Sequence, residues 1–465
     1  ESCDRWRWKI TESGGSIMKD LTKGKISTLI LGFAIPVFLG NLLQLTYSLV
    51  DTRIVGSFLG EDALAAVGAT STLSGLIIGF LLGLSNGFAI ITAQKFGAKN
   101  IADMKKSFAM SLVIGTGISI LFTIAGLLFL KSILHFLNVP KHLVPVAKGY
   151  IAIIIAGLLA TFLYDACAAT LRAIGDAVTP LIILAISVAL NIVGDLFFVV
   201  VLKTGVKGAA IATVLAQIIA FVICWIYMIR KYEILRLQKE EFKDPSPIMV
   251  KEMISAGMSM GFMSSLVNIG TLTLQTAINK LGKDIIIAHT AARKITEIFM
   301  IMFSVFGQTM ATYCGQNMGA GKIDRVKRGI WLAIVYTAIW SGLTIIASYT
   351  IGGWLVYLVT GSHNKTVILN ATNYLKFDTL FYIVTTLICI LRNAMQGLGD
   401  HITPLISSGL EMAGKIVIAA TLVPWLGYTG VIICEPIVWF IMVIPLLIQT
   451  FRMPVLRTEK TDGKI

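Results

Sequence analysis

The chain has 465 residues, of which 56% are hydrophobic and only 14% are charged. A soluble domain would carry about a quarter charged residues and would not string together apolar blocks of roughly twenty residues. The composition therefore excludes an ordinary water-soluble domain and predicts a protein that is embedded in the lipid bilayer.

The net charge of +14 is high enough to suggest a nucleic-acid partner, so the positions of the basic residues decide the interpretation. They cluster in short segments between apolar blocks, which is typical of cytoplasmic membrane loops. We therefore expect no nucleic-acid partner. The six cysteines are scattered singly without a CxxC pair, which argues against a disulfide framework or a zinc site.

The apolar blocks are long enough for twelve membrane spans, because a helix needs roughly twenty residues to cross the hydrocarbon core. We therefore predict an all-α integral membrane fold. An even number of spans places both termini on one side, and the Lys- and Arg-rich loops predict that this side is cytoplasmic. In chain order the predicted spans are 28–50, 63–91, 107–129, 147–170, 178–201, 208–229, 250–279, 285–314, 329–350, 368–397, 402–423 and 429–450.

The main hydrophilic stretch, RKYEILRLQKEEFKDPSP at 230–247, divides the spans six and six. We interpret it as a solvated cytoplasmic linker, with a partner-binding helix as the alternative. Residues 1–17 precede Met18 and are interpreted as a tail or an upstream extension, not as a cleavable signal. The predicted organisation is a cytoplasmic tail 1–27, an N-lobe 28–229, a linker 230–249, a C-lobe 250–450 and a cytoplasmic tail 451–465.

The two halves repeat each other. AQKFGAKN at 93–100 returns as GQNMGAGK at 315–322, and RAIGDAVTPLI at 172–182 returns as QGLGDHITPLI at 396–406. Each copy holds an even number of spans, so the copies share one orientation and are related by a pseudo-twofold axis along the membrane normal. Two such bundles are suited to rocking around a central cavity.

Acidic residues inside predicted spans are costly and indicate function. Asp51 lies in span 1, and Asn191 lies one helical turn before Asp195 in span 5. The repeat places Thr273, Ala413 and Val417 at the equivalent positions, so this cluster belongs to the N-lobe alone. Its oxygen atoms suit Na⁺, and two close carboxylates can equally share one proton. The structural alternative is that Asp51 faces water at the end of its helix.

Other polar residues in the spans allow fewer conclusions. Glu411 and Lys415 are four residues apart and are expected to neutralise each other on one helix face. Asp378 either contributes to a C-lobe binding surface or lies at a helix start, and His289 is interpreted as a helix-start residue. The methionines of spans 7 and 8, Met263 among them, suit either an adaptable cavity or gap filling. Asp165, Glu297 and Glu435 receive no role.

Pro36 removes a backbone hydrogen bond inside span 1 and permits a kink there. No HExxH motif is present, and the two GxSxG matches, GLSNG at 83–87 and GMSMG at 257–261, lie inside predicted spans and not at a strand-to-helix turn, so the sequence does not suggest an enzyme.

Three segments resemble the multidrug and toxic compound extrusion (MATE) family: NLLQLTYSLVDTRIVGSFLG at 41–60, LRAIGDAVTP at 171–180 and ATYCGQNMGAGKIDRVKRG at 311–329. The likeness is closest to the bacterial branch whose ion site lies in the N-terminal lobe. It implies an ion or proton site formed by Asp51, Asn191, Asp195 and Thr213, which would also be the Na⁺ ligands, and a hinge at Pro36.

The resemblance also implies secondary active export of small, mostly cationic or amphipathic organic compounds in exchange for H⁺ or Na⁺, by a monomer in the bacterial inner membrane. No cofactor other than the coupling ion is expected. Span 7 carries no carboxylate beyond Glu252 at its start, which argues against an ion site in the C-lobe. The rival interpretations are a lipid-linked oligosaccharide flippase of the same superfamily and an ion channel. Candidate residues of the substrate cavity are Asn268, Gln275, Met263 and Asp378.

Overall fold

The computed structural model describes residues 19–137, 139–361 and 363–457, and within these ranges all regular secondary structure is helical. Each predicted span corresponds to one helix or to a pair of consecutive helices. The helices are α1 Ile26–Leu59, α2 Glu61–Gly97, α3 Ile101–Leu128, α4 Leu130–Phe136, α5 Val144–Ala156, α6 Leu158–Ala173, α7 Val178–Asp195, α8 Val206–Lys231, α9 Pro247–Ile278, α10 Lys283–Gly319, α11 Ile323–Thr350, α12 Gly352–Thr360, α13 Lys365–Leu380, α14 Tyr382–Leu398, α15 Ile402–Leu426, α16 Tyr428–Arg452 and α17 Pro454–Arg457.

Nine spans of the described chain are helices long and apolar enough to cross a membrane without a break. Two further spans are broken: α5 meets α6 at an angle of 44°, and α13 meets α14 at 55°. These are the fourth span of each half, so the duplication extends to the bends. The sequence predicts 147–170 and 368–397 as unbroken spans, so these two breaks differ from the prediction. In the first of them Gly157 lies at the bend, where it lacks the side chain that favours a continuous helix.

The remaining span, α9, is not among these helices, and it carries Ser, Thr and Asn residues along with its methionines. It packs closely along α2, where Gly83 faces the backbone of Met260 and Gly87 faces that of Ala256. Protein, and not lipid, therefore covers much of its surface. Small residues commonly allow helices in membranes to approach this closely.

The two halves meet where α2 and α10 end. Gly97 and Gly319 occupy equivalent positions of the repeat, and a Cβ on either would overlap the facing backbone carbonyl, that of Gln316 or that of Gln94. The Gln94 side chain donates to the Gly397 carbonyl at 2.9 Å, and the Gln316 side chain donates to the carbonyl of Ala173 at 2.6 Å. These two hydrogen bonds are related by the pseudo-twofold axis. We call this contact region the seal.

Residues 19–25 lie across the seal and do not extend away as a tail. Leu21 is 1% exposed, and its amide donates to the Gln316 side chain at 3.0 Å. Asn317 donates to the Leu21 carbonyl at 3.2 Å, and the Lys19 amide donates to the Gly175 carbonyl at 3.3 Å. The described part of the predicted N-terminal tail is therefore packed against both halves.

The linker is only partly solvated, which differs from the interpretation of it as a tether. Its first residues pack back onto the N-lobe, where Tyr232 and Leu235 are buried. The Tyr232 hydroxyl donates to Asp176 at 2.7 Å, and Asp176 accepts from the amides that begin α7. Burial, together with this hydrogen bond to Asp176, raises the pKa of Tyr232, so the phenol stays protonated at neutral pH.

Candidate ion-coupling site in the N-lobe

Three helices bring the predicted ion-site residues together. α1 carries Asp51, α7 carries Asn191 and ends at Asp195, and α8 carries Thr213. After Asp195 the chain continues as a π-helix, Leu196–Val201, before it turns into α8. A π-helical segment widens the helix and often occurs at functional sites. Here it follows directly on the acidic residue.

The side chains form one connected cluster. Thr213 Oγ1 donates to the Ala209 carbonyl at 3.1 Å and lies 3.5 Å from the Tyr47 hydroxyl. When the Asn191 amide is turned so that its nitrogen faces Asp195, it donates to Asp195 Oδ2 at 3.1 Å, and its oxygen accepts from the Thr213 backbone amide at 3.1 Å. The opposite orientation would present the amide oxygen to the carboxylate, which is the arrangement that a bound cation requires.

The two carboxyl groups of the cluster lie within hydrogen-bonding reach of each other. Asp195 is fully buried, and Asn191 is 3% exposed. One oxygen of each carboxyl group, Asp51 Oδ1 and Asp195 Oδ1, is buried without a hydrogen-bond partner among the described residues. Two facing carboxylates in a medium of low dielectric constant repel each other unless a proton or a cation lies between them.

The donor set fits either occupant. A proton shared by the two carboxyl groups would satisfy one of the unpartnered oxygens. For Na⁺ the available ligands are carboxylate, amide and hydroxyl oxygens, which hard cations prefer. A transition metal is less suited, because no group of three or more His, Cys, Asp or Glu side chains occurs at metal-binding distance in the described part of the chain.

A cavity adjoins the cluster between α1, α7 and α8. It is lined by Gln44, Tyr47, Leu184, Ser187, Val188, Asn191, Thr213, Ala216 and Gln217. All of the polar side chains in this lining are uncharged, and Gln217 Oε1 is buried without a described partner. The cavity therefore gives the ion-site residues a polar surrounding inside the lobe.

Pro36 is buried within α1, and the helix continues through it without interruption. It lies between the seal, where α1 begins, and Asp51 near the other end of the helix. A rearrangement at Pro36 would therefore move the part of α1 that carries Asp51 relative to the seal.

The residues predicted for the substrate cavity have different surroundings. Asn268 is exposed, and Gln275 is half-buried and donates to Asn279 at 2.9 Å. Met263 is buried beside Gln396 at 3.2 Å. Asp378 is 1% exposed and accepts from Tyr382 at 3.2 Å inside the C-lobe. It lies near the end of α13, so the helix-start interpretation of Asp378 is wrong.

The predicted pair of Glu411 and Lys415 is part of a larger ionic network in the C-lobe. The predicted pair is present, with Lys415 Nζ 2.9 Å from Glu411 Oε1. Lys415 also lies 3.2 Å from Glu435, and Glu435 lies 3.5 Å from Arg293. Arg392 adds a further contact to Glu411 at 3.8 Å. All five residues lie inside the lobe, where we call them the C-lobe network.

His289 also differs from its interpretation as a helix-start residue. It lies in the second turn of α10 and is 4% exposed. Its ring packs edge-on against Tyr374 and Tyr428, with centroid distances of 5.2 and 6.0 Å. It serves here as a packing residue beside the C-lobe network.

Comparison with known proteins identifies the class. The MatE family model matches residues 36–197 and again residues 259–421, which together cover most of the chain and confirm the internal duplication. The chain therefore belongs to the MATE family of multi-pass membrane transporters.

Several relatives and structures agree with this assignment. The chain is 28% identical to "Probable multidrug resistance protein YpnP" of Bacillus subtilis (strain 168), over 89% of this chain and 92% of that protein. It is 28% identical to "Probable multidrug resistance protein YoeA" of the same organism, over 70% of each chain. A solved structure of an outward-facing multidrug resistance MATE transporter superimposes with a TM-score of 0.87 at 22% identity, covering 95% of this chain and 98% of that one. This confirms the predicted fold of twelve helices in two lobes.

Proposed function

We propose that this protein is a secondary active multidrug exporter of the bacterial inner membrane, with both termini in the cytoplasm. It exchanges small organic compounds, mainly cationic or amphipathic ones, for H⁺ or Na⁺ by alternating access. The observation that carries the proposal is the facing pair of carboxyl groups, Asp51 and Asp195, in the N-lobe of a duplicated transporter fold. The names of the related proteins support drugs as the transported compounds.

The coupling step rests on charge. When a proton or Na⁺ occupies the site, the repulsion between the two carboxylates is relieved and α1 and α7 can approach each other. When the site is empty, that repulsion favours a different position of α1. Because α1 contains Pro36 and begins at the seal, we propose that this difference is transmitted along α1 to the contact between the lobes. A ligand shifts such an equilibrium only by its different affinity for the two states.

The experiment is ethidium transport by purified protein in liposomes, driven separately by a pH gradient and by a Na⁺ gradient. Ethidium movement under one gradient identifies the coupling ion, and its loss on adding nigericin or monensin shows that the gradient drives it. Liposomes without protein provide the control. No movement under either gradient would contradict the proposed function.

A further inference from the structure

A second cavity lies at the interface of the two lobes, separate from the cavity of the ion site. Residues of α2 and α6 form one wall and residues of α9, α10 and α14 form the other. It lies about one to two helical turns from the seal, since Ile90 on α2 is seven residues before Gly97. The lining residues are Asn86, Ala89, Ile90, Ala169, Arg172, Met260, Gln308, Ala311, Thr312 and Asn393.

The lining has a distinct chemistry. Arg172 is its one charged residue among the described residues, and its remaining polar side chains are three amides and one hydroxyl. No carboxylate lines the cavity. A site built to hold an organic cation would be expected to present an acid or a set of aromatic faces. This cavity instead presents hydrogen-bond donors and a guanidinium, which suit an anionic group.

The guanidinium of Arg172 is available for a ligand. It donates to Asn86 Oδ1 at 3.2 Å, across from α6 to α2, and this is its single hydrogen bond within the described chain. A guanidinium carries five N–H donors, so most of them remain free. Asp165 lies two turns earlier on α6 and forms no ion pair with Arg172 within 4.0 Å among the described residues.

Arg172 lies in the last turn of α6, where a cation is also stabilised by the helix dipole. That role alone would not require the side chain to cross to α2 and enter a cavity between the lobes. A guanidinium binds a carboxylate through two parallel hydrogen bonds, and such charge-assisted bonds are short and strong. The amides of Asn86 and Asn393 supply further donors for the same group.

We propose that this interlobe cavity binds an anionic group, a carboxylate first of all, of the transported compound, with Arg172 as its principal contact. The proposal rests on the proposed function and extends it: compounds that carry a carboxylate in addition to a cationic group become preferred substrates. Because both lobes line the cavity next to the seal, binding there is sensitive to their relative position.

The test compares two fluorescent dyes that differ in a single group: rhodamine B, which has a free carboxylate, and its ethyl ester, which is a permanent cation. Their binding to purified protein in detergent is measured by equilibrium dialysis. We expect the protein to bind rhodamine B about tenfold more tightly than the ester, because charge-assisted hydrogen bonds are roughly twice as strong as neutral ones. Arg172→Gln should remove this preference, because rhodamine B binds more weakly once the guanidinium that holds its carboxylate is lost.

Two further variants keep the test decisive. Arg230→Gln, at an exposed position in the last turn of α8, is the matched control and should keep the preference. Gln308→Glu places a competing carboxylate in the cavity and should weaken the binding of rhodamine B but not that of the ester. This variant replaces Arg172→Gln in the test if Arg172→Gln does not fold. Competition by phosphatidylglycerol but not by free carboxylates would assign the site to a lipid headgroup and overturn the proposal.

The proposal would also be overturned if the unmodified protein bound both dyes equally. The same holds if the preference for rhodamine B survived both Arg172→Gln and Gln308→Glu. Failure of the proposed function is a separate result. It would show as absent ethidium transport in liposomes, whatever the dyes do in detergent.

Discussion

Replacing Lys415 by methionine should destabilise the C-lobe strongly. The ammonium group lies 2.9 Å from Glu411, 3.2 Å from Glu435 and 3.4 Å from Thr271, and the lysine side chain is 3% exposed. Methionine fills a similar volume but leaves two glutamates with only their longer contacts to arginine. Removing one partner of a buried ionic group typically costs about 3–5 kcal/mol, because the remaining charges are uncompensated.

The assay is thermal unfolding of the purified protein in detergent. For a cooperative unit of about 200 residues, 1 kcal/mol corresponds to roughly 2–4 °C in Tm, so a loss on the order of 10 °C is expected. Lys294→Met is the matched control, since Lys294 is 51% exposed and contacts Glu297 at 3.1 Å in the same helix. An exposed pair of this kind contributes at most about 1 kcal/mol.

The double variant Lys415→Met with Glu411→Gln separates charge from packing. It removes a cation and an anion together, so it should recover part of the lost Tm, whereas a packing defect would add to the loss. Equal Tm values for Lys415→Met and Lys294→Met would refute the view that the C-lobe network stabilises the lobe.

Three other substitutions test separate parts of the molecule. Pro36→Ala restores a backbone donor within α1 and stiffens it, so ethidium efflux should slow severalfold while ethidium binding is retained, as initial rates and dialysis would show. Gly97→Val overlaps the facing backbone at the seal, so the distance between spin labels at Ala98→Cys and Ala320→Cys should increase; an unchanged distance would contradict the close approach. Tyr232→Phe removes a 2.7 Å hydrogen bond to the acid that caps α7 and should lower stability by about 1.5–3 kcal/mol. Because burial raises the pKa of Tyr232, that loss should be the same from neutral pH up to the ordinary pKa of a phenol, and a loss that disappears near neutral pH would contradict the assignment.

The spans, the duplication and the N-lobe cluster could be predicted because their signals are local or repetitive. Blocks of apolar residues reveal helices, and Asn191 with Asp195 shares a face through the helical period alone. The grouping of this pair with Asp51, which lies 140 residues before Asn191, rests on the cost of acidic residues inside spans and on the comparison of the two copies, and the resemblance to a family adds Thr213. The structure brings all four predicted residues of this site together.

The C-lobe network could not be found in the same way. The members Arg293 and Glu435 are 142 residues apart, and neither position shows a periodic signal. Only the pair Glu411 and Lys415, four residues apart on one helix, was visible from the sequence. The folding of residues 19–25 across the seal was missed for a related reason, because its contacts are backbone hydrogen bonds to side chains almost 300 residues away.

The bend between α13 and α14 has no sequence signal, because the residue at the bend is Phe381 and not a glycine or a proline. Its position is set by tertiary packing around Tyr382, which is fully buried against Phe303 and Trp439. The equivalent bend in the N-lobe does carry a glycine. A comparison of the two copies therefore predicts such bends better than either copy alone.

The most direct test of the account is ethidium efflux driven by the coupling ion in Asp51→Asn and Asp195→Asn variants, with Asp62→Asn, an exposed residue at the start of α2, as the control. Both site variants should lose gradient-driven efflux while remaining folded and able to bind ethidium, and the control should retain it. Full efflux in both site variants would contradict the assignment of ion coupling to this pair.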